Sequence, residues 1–583
     1  MHRDKLPPRT FLAMAGAVAL AVGTATLGTA PAHAIPTGTT TLVVNANQIL
    51  RPVNHVASGG LYGLDTATIP GDGLVEPLHP NTFVQMAPGG SQLPNGEPAP
   101  GGDALVVAPE AAKAGARVVI RMPDWYPNFP YRWISWSNWL AAVDTQIARV
   151  QSSSVTDIAA WELWNEPDFT WDTTHAGSFD AGWARTYAEV RSRDSSTPIQ
   201  GPSFSHWDVN LMTPFLDDAI ASKSVPSIVS WHELGGASSI AADVAADRSL
   251  ERSLGLSPRP IDIEEYGTRA EVGVPGPLAG YIAKFERAGV NSAELAFWNH
   301  YGTLGDTLID TGSSPNGAYW LYEWYGGMSG NMLTTVPPAQ TGIDGAASLN
   351  SARNQIQVIL GGSAGSSAVT VNGLSSVPAF GSTVHVKLEY VPSLGRTTAV
   401  SGPITISDTD FTVTGGSITV PVATNASDGY HLVVTPSGTA TTLAGRYQIT
   451  NRNSGLALDA LNAGTAQGTA VVQATRSAGT DQNWTLTAAG SGLYKIVNQR
   501  SGLVLGITNE STTDGGTALT WGDNGTPDHL WQVIPAPGGF DKIANYNSGL
   551  VLGVTNESTA TGAQVLQWDD NGTPDHLWTL TAR

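Results

Sequence analysis

The 583-residue chain contains no cysteine, which excludes disulfides, cysteine catalysis and thiolate metal sites. Basic residues are also few, since 29 Lys and Arg stand against 49 Asp and Glu and leave a formal net charge of −20. Such an acidic balance argues against nucleic acid or an anionic membrane as a partner. No His-x-x-x-His pattern or carboxylate-rich loop stands out, so we expect no metal and no cofactor.

Long hydrophobic runs are confined to the N-terminus. Arg3, Lys5 and Arg9 precede an apolar run over 11–27, and the small-residue sequence 32–34 (AHA) follows. This order is typical of a secretory signal peptide, here residues 1–34, and predicts a secreted, extracellular protein. A retained N-terminal anchor is the alternative. No second apolar run of about 18 residues follows, so we expect no membrane span.

Short apolar runs alternate with amphipathic, helical patterns over residues 35–330. The candidate strands are 53–62, 82–87, 117–122, 157–164, 198–203, 226–232, 260–265 and 294–300. Helical patterns lie between them, as at 138–150, 179–192 and 277–289. This rhythm predicts a (β/α)₈ TIM barrel, because such barrels alternate eight strands and helices over about 250 residues. A doubly wound open sheet is the alternative, but no Gly-rich phosphate loop follows the first strand.

The character of the chain changes twice after the barrel region. Residues 331–435 lose helical periodicity and carry strand-like runs at 355–360, 368–372, 383–390, 417–421 and 430–435, which predict a β-sandwich accessory domain. Residues 436–444 are predicted to be a flexible linker, because they are rich in Ser, Gly and Thr. The third region, 445–583, should then fold independently of the others.

That third region is a triple internal repeat. The stretches 449–460, 496–507 and 543–554 align, and each copy closes on a tryptophan at a constant interval: Trp484, Trp531 and Trp578. One copy could not bury its apolar face alone, so three copies should form one all-β object with pseudo-threefold symmetry.

Two acids lie at the ends of predicted barrel strands. Glu166 follows the fourth strand in the sequence Trp164-Asn165-Glu166-Pro167, and Glu265 ends the seventh. These strands face each other across an eight-stranded mouth, where barrels of this kind carry their functional residues. Two carboxylates facing across a cleft are what cleavage of a glycosidic bond requires.

These motifs resemble those of clan A glycoside hydrolases, and most of all glycoside hydrolase family 39 and its relatives. The resemblance covers roughly residues 36–435, because those enzymes also carry a sandwich beside the barrel. It implies a retaining mechanism with Glu166 as general acid/base and Glu265 as nucleophile. It also implies that Asn165 binds the sugar 2-hydroxyl and that His232 lies beside the nucleophile. Trp298 matches the tryptophan that floors the sugar subsite.

One departure from the family pattern leaves two candidates for the nucleophile. Glu264 stands where family members usually have a small hydroxyl residue. Strict alternation along the strand would direct Glu264 and Glu265 to opposite faces, and the Glu-aromatic-Gly order favours Glu265. We also expect the tryptophans around Glu166 and the charge of Glu265 to raise the pKa of Glu166. His206 and Trp125 are further candidate substrate contacts, for which structural roles are the alternative.

The triple repeat resembles the ricin-type β-trefoil, known as carbohydrate-binding module family 13 when attached to a hydrolase. Asp459 matches the family's sugar-binding aspartate in copy one, whereas Gly506 and Gly553 replace it in the other copies. Copies two and three share W-x-D-N-G-T-P-D-H instead. The candidate sugar contacts in this region are Asp459, Trp521, Asn524, Trp568 and Asn571.

These features together predict a secreted, multidomain retaining glycoside hydrolase built from a TIM barrel, a β-sandwich and a β-trefoil. Its expected partner is a plant or microbial polysaccharide or oligosaccharide with arabinosyl, xylosyl or galactosyl side chains, and we expect a monomer. A transglycosylase and a non-catalytic, lectin-like carbohydrate-binding protein are the alternatives.

Overall fold

The computed structural model describes residues 36–93, 96, 102–311, 314–437 and 443–583. The predicted signal peptide and residues 438–442 of the predicted linker lie outside these ranges. None of the helices in the described ranges combines the length and the apolar character that a bilayer crossing needs. The same residues contain no group of three or more His, Asp and Glu side chains placed to hold a metal ion.

The first strand, β1 (Thr40–Pro52), lies in the sandwich sheet, although the predicted boundary assigns it to the barrel domain. It pairs in parallel with residues 367–372 and antiparallel with residues 331–336. Over 42–46 its side chains alternate between buried and half-buried, as expected for a strand of a two-layered structure. The barrel proper therefore begins after Pro52.

Eight parallel strands then close into a barrel, which confirms the predicted fold. They are β2 (Gly59–Leu61), β3 (Thr82–Met86), β4 (Arg117–Arg121), β5 (Ile158–Glu162), β6 (Ile199–Phe204), β7 (Ile228–Glu233), β8 (Ile261–Tyr266) and β9 (Ser292–Leu295). The described helices are α1 (Asp72–Val75), α2 (Ala104–Lys113), α3 (Trp136–Ser152), α4 (Pro167–Thr170), α5 (Thr173–Ala176), α6 (Phe179–Arg193), α7 (Val209–Ser222), α8 (Ile240–Ser253), α9 (Pro275–Ala288) and α10 (Gly317–Gly326). All five residues of β5 are buried, because a parallel strand is covered on both faces.

The sandwich contains β1 and eight further strands in the order β15-β14-β17-β12-β11-β10-β1-β13-β16. These are β10 (Asn331–Val336), β11 (Asp344–Leu349), β12 (Ile356–Gly361), β13 (Gly365–Asn372), β14 (Thr383–Val391), β15 (Ile404–Thr412), β16 (Ile418–Thr424) and β17 (Gly429–Pro436). The sequence predicted five of them; β1, β10, β11 and β15 were missed.

The C-terminal region is all-β, as predicted, and has four strands in each of its three repeats. They are β18 (Gly445–Asn451), β19 (Ala457–Ala460), β20 (Thr469–Ala474), β21 (Asn483–Gly490), β22 (Leu493–Asn498), β23 (Val504–Ile507), β24 (Ala518–Trp521), β25 (Trp531–Ala536), β26 (Phe540–Asn545), β27 (Val551–Val554), β28 (Val565–Trp568) and β29 (Trp578–Ala582). Trp484, Trp531 and Trp578 are fully buried, and each indole N–H donates to a leucine carbonyl of its own repeat at 2.8–3.0 Å.

The trefoil packs directly on the sandwich, which differs from the expected independent domain on a flexible linker. Ile534, Ala544 and Val551 of the trefoil belong to the apolar core of the sandwich. The backbone N–H of Ala423, in the edge strand β16, donates to Gln532 Oε1 at 2.9 Å. A protein sheet edge is commonly covered in this way, and here the trefoil supplies the cover.

Candidate active site

Glu166 stands where the chain leaves β5 and enters α4. Its backbone is left-handed (φ 48°, ψ 55°), a conformation that a non-glycine residue holds only under constraint and that is frequent at functional sites. The constraint comes from Pro167, which begins α4, and from the Glu166 N–H, which donates to the Ser203 carbonyl at 2.8 Å. The carboxylate is left partly exposed at the barrel mouth, with 13% of the side chain accessible.

Tryptophans pack against the loop that follows β5 and stabilise its conformation. The indole N–H of Trp164 donates to Thr170 Oγ1 at 2.9 Å, and that hydroxyl donates to the Asn165 carbonyl at 2.6 Å. Trp171 packs edge-on against Trp164 with the ring centroids 4.7 Å apart. The aromatic cluster therefore fixes the loop that carries Asn165 and Glu166.

Both adjacent acids of β8 approach His232, which strict alternation does not predict. His232 Nε2 lies 3.7 Å from Glu264 Oε2 and 3.9 Å from Glu265 Oε1. The reason is a slip in the β7–β8 register: Trp231 pairs with Ile263, but His232 pairs with Glu265, so Glu264 has no residue opposite it in β7.

Burial separates the two acids. Glu264 is fully buried, and its Oε1 accepts hydrogen bonds from Gln200 Nε2 at 2.5 Å and from Ser203 Oγ at 3.0 Å. The side chain of Glu265 is 14% exposed, and its Oε1 accepts a hydrogen bond from Arg121 Nη1 at 2.6 Å. Of the two, Glu265 is therefore the carboxylate that a ligand in the cleft can reach.

His232 lies between the two partly exposed acids. Its Nδ1 is 3.3 Å from Glu166 Oε1, and the whole ring is buried. Burial lowers the pKa of His232, but the facing carboxylates of Glu265, Glu166 and Glu264 outweigh burial and hold it well above the ordinary histidine value.

The pKa of Glu166 is lowered, contrary to the expectation from its tryptophans and from Glu265. Burial does raise it, but the hydrogen bond with His232, the positive charge of that ring and the charge of Arg121 together outweigh burial. The sequence expectation was wrong because it included the neighbouring acid and omitted the buried cation between the two acids.

Arg121, at the end of β4, ties the nucleophile candidate to the barrel interior. Its Nε lies within 3.0 Å of both oxygens of the fully buried Glu162, and its Nη1 contacts Glu265. The guanidinium also lies 5.8 Å from the ring centroid of Tyr62. A fully buried arginine is retained only with such partners, so this one has a fixed orientation.

Asp124 joins a second set of residues that the sequence reasoning missed. Its carboxylate accepts hydrogen bonds from the hydroxyls of Tyr62 at 2.6 Å and Tyr131 at 2.9 Å. Asn165 Nδ2 in turn donates to the Tyr131 hydroxyl at 3.4 Å. Burial raises the pKa of Asp124 to about 7, against the charge of Arg121 and these two donors. Its only sequence signal is that it is an acid shortly after a barrel strand.

The remaining predicted contacts lie at the rim. Trp298 is half-buried after β9, and its indole N–H donates at 3.4 Å to the carbonyl of Gly267, two residues beyond Glu265. His206 is 61% exposed, and its Nδ1 lies 3.9 Å from Asp168. Trp125 is half-buried, with the Arg149 guanidinium 5.5 Å from its ring centroid. The structure thus brings Asn165 and His232 to the acids, and it leaves His206 and Trp125 in contact with other partners.

The trefoil holds two kinds of candidate sugar site. In copy one, Asp459 accepts a hydrogen bond from Gln482 Nε2 at 2.9 Å. In copy two, Gly506 stands at the position of Asp459, and the His529 ring fills the space that a side chain would need there. A Cβ added to Gly506 would lie 2.5 Å from that ring. Copy three repeats that arrangement.

Copies two and three each present an exposed tryptophan beside a polar turn. Trp521 is 40% exposed and Trp568 is 41% exposed. The Oδ1 atoms of Asn524 and Asn571 accept hydrogen bonds from the threonine hydroxyls two residues on, at 2.6 and 2.7 Å, and so order the two turns. Ala474 takes the tryptophan position in copy one.

A family model describes the C-terminal region. The model for the ricin-type beta-trefoil lectin domain-like family matches residues 433–521, 480–568 and 527–583, which cover the three repeats. The predicted ricin-type trefoil is therefore confirmed.

Two bifidobacterial enzymes resemble part of the chain. A 3-O-alpha-D-galactosyl-alpha-L-arabinofuranosidase of Bifidobacterium longum subsp. longum is 28% identical in an alignment of 358 residues that covers 58% of this chain. A 3-O-beta-L-arabinopyranosyl-alpha-L-arabinofuranosidase of Bifidobacterium pseudocatenulatum is 25% identical in an alignment of 456 residues that covers 65% of this chain. The matches span only 30% and 46% of the lengths of those proteins.

Solved structures resemble about two thirds of the chain. N2152 from Neocallimastix frontalis is 35% identical with a TM-score of 0.65, and the match covers 68% of this chain and 100% of that one. A glucosidase from Croceicoccus marinus is 12% identical with a TM-score of 0.50, over 69% of this chain and 99% of its own, which is a likeness of fold.

Proposed function

The chain belongs to one family with N2152 of Neocallimastix frontalis and joins a barrel of the clan A glycoside hydrolase type to a ricin-type β-trefoil; from this we propose that it is a secreted, retaining α-L-arabinofuranosidase. Its proposed substrates are plant or microbial polysaccharides whose arabinofuranosyl side chains carry a further sugar at O3. The names of both bifidobacterial relatives support this choice, because each acts on an arabinofuranosyl unit substituted at O3.

The observation that carries the proposal is the pair of partly exposed acids on either side of His232. Glu166 would donate its proton to the glycosidic oxygen while Glu265 attacks the anomeric carbon, so that the sugar becomes esterified to Glu265 and the leaving group departs as an alcohol. Glu166, now a carboxylate, would then take a proton from water as that water displaces Glu265. Two inversions return the original anomeric configuration.

The neighbouring side chains support this division of roles. The hydrogen bond from Arg121 to Glu265 Oε1 fixes the orientation of that carboxylate, which leaves the other oxygen for attack. Asn165 lies between the acid/base candidate and the Tyr131–Asp124 pair, where it would bind a sugar hydroxyl. Because Glu166 has a lowered pKa in the free site, bound substrate must raise it by displacing water, and this makes proton donation depend on a filled cleft.

The test is the identity of the covalent intermediate. A 2-deoxy-2-fluoro α-L-arabinofuranoside with a good leaving group should leave an adduct on the peptide containing Ile261–Tyr266, and fragmentation should place it on Glu265 rather than Glu264. Glu166→Ala should slow substrates with poor leaving groups by about 10²–10⁴, the usual contribution of proton transfer. Activated aryl glycosides should lose less, and azide should restore the second step. An adduct outside these residues, or an inverted product in a proton NMR time course, would refute the mechanism.

Two readouts separate the alternatives. A transglycosylase would use the same two acids but deliver the sugar to an added acceptor in preference to water, which product analysis detects. A non-catalytic lectin would bind polysaccharide and form no adduct at all. The separation of the two carboxyl groups should be about 5–5.5 Å for a retaining enzyme.

A further inference from the structure

Two large aromatic side chains lie exposed in contact with each other beside Glu166. Phe129, in the loop after β4, is 45% exposed, and Phe169, in α4, is 61% exposed. Their ring centroids are 5.9 Å apart. Scattered single apolar residues are normal on a protein surface, whereas a contiguous exposed aromatic pair beside a cleft is typical of a binding surface. We call this pair the aromatic ledge.

The ledge is held rigidly to the acid/base candidate. The backbone N–H of Phe169 donates to the Glu166 carbonyl at 2.9 Å. The neighbouring Asp168 accepts hydrogen bonds from the Ser205 N–H at 3.0 Å and the Ser205 hydroxyl at 2.6 Å, which fix α4 to the loop after β6.

The other half of the ledge is fixed as well. Phe129 packs edge-on against Tyr131 with the ring centroids 5.6 Å apart, and Tyr131 bonds both Asn165 and Asp124. A preorganised surface binds with less loss of entropy than a mobile one, so these two rings are ready to receive a ligand.

The position of the ledge indicates which part of a substrate would meet it. The group that protonates the glycosidic oxygen stands on the leaving-group side of the bond, whereas the nucleophile stands beneath the sugar that is transferred. Phe169 lies in α4, three residues after Glu166, and Glu265 lies across the mouth on β8.

We infer that Phe129 and Phe169 form a leaving-group subsite that stacks on a pyranose ring of the polysaccharide carrying the side chain. This inference rests on the proposed function, because it takes Glu166 as the acid. The occupant is a neutral hexopyranose with an apolar face of C–H groups, such as galactose, since aromatic rings offer a large apolar contact area and no charge.

Paired substrates test the subsite. One is the methyl glycoside of an α-L-arabinofuranose that carries galactose at O3, whose methanol leaving group is too small to reach the ledge; the other carries the same disaccharide on β-galactotriose. For Phe129→Ala/Phe169→Ala, kcat/KM should fall about tenfold or more on the galactotriose substrate, equivalent to about 1.4 kcal/mol, and change little on the methyl glycoside. Phe169→Tyr should retain the wild-type preference, and the control Val106→Ala, at a position 49% exposed on α2, should behave as wild type. Equal changes on both substrates, or none on either, would overturn the inference.

A measurement of galactotriose binding distinguishes failure of the subsite inference from failure of the arabinofuranosidase proposal. The protein contains 12 phenylalanines and can be labelled with 4-fluorophenylalanine; the resonance missing from Phe169→Tyr identifies Phe169. Adding β-galactotriose should shift that ¹⁹F resonance even if the wild type cleaves neither substrate, a result that would refute the arabinofuranosidase proposal alone. A Phe169 resonance that stays unshifted at millimolar galactotriose would refute the ledge.

Discussion

Replacing one trefoil side chain at the sandwich should loosen the contact between the two domains. Ile534, in β25, is 7% exposed and lines a small cavity together with Tyr390 and Tyr430 of the sandwich. It belongs to the sandwich core and not to the trefoil's own core. Ile534→Ala therefore removes contacts between the domains while leaving the trefoil's own core complete.

The expected size of the effect follows from the atoms removed. The substitution deletes three carbons, at about 0.8 kcal/mol each for lost burial. Incomplete collapse of the cavity adds to this, and Ile→Ala changes in protein cores cost about 2–5 kcal/mol. Because water can enter at an interface, we expect the lower part of that range, about 2.5 kcal/mol, which multiplies the population of the undocked state by about 60.

Amide hydrogen exchange measures this population directly. The Ser366 N–H donates to the Ser548 carbonyl at 3.2 Å, and the Ala423 N–H donates to Gln532 Oε1 at 2.9 Å, so both amides are protected across the interface. Their exchange should accelerate by the same factor of about 60 in Ile534→Ala. The matched control is Ile543→Ala, at a fully buried position in the trefoil's own core, which should accelerate trefoil amides first.

Wild-type exchange rates at Ser366 and Ala423 in Ile534→Ala would refute the shared core. So would acceleration of these amides in Ile543→Ala without matching acceleration inside the trefoil. Because the trefoil covers β16 and contributes to the sandwich core, deleting residues 443–583 should lower the stability of the sandwich as well as weakening binding to insoluble polysaccharide.

Two further predictions concern the sites themselves. His232→Gln removes the cation that lowers the pKa of Glu166, so that pKa should rise, and the alkaline limb of the pH profile of kcat/KM should move to higher pH; an unmoved limb would contradict the coupling. Trp521→Ala and Trp568→Ala should each weaken binding to insoluble polysaccharide, and the double variant should lose much more than either, because two linked sites reinforce each other. Hydrolysis of a small soluble glycoside should stay unchanged in both variants; a loss there would show that the tryptophans act on folding rather than on tethering.

Patterns local in the chain were enough to predict the barrel and the trefoil. Strands buried on both faces appear as short apolar runs, and the repeat with its closing tryptophan marks one symmetric unit. The same local patterns predicted that Glu166 and Glu265 stand at strand ends, because the end of an apolar run can be recognised in the sequence alone. It missed β1 in the sandwich, since pairing with β10 and β13 joins residues about 300 positions apart.

The sequence by itself determined the eight barrel strands and the acids that stand at or just after their C-terminal ends, because hydrophobic period and turn residues act over a few positions. Only the tertiary structure decided the chemistry of the site. A one-residue slip in the β7–β8 register brings both Glu264 and Glu265 close to His232. Glu264 is fully buried, whereas Glu265 is partly exposed, so only Glu265 is accessible to a ligand. Likewise, the lowered pKa of Glu166 depends on a cation from another strand, at 3.3 Å. Electrostatic interactions depend on distance in space and on burial, and neither can be read from separation along the chain.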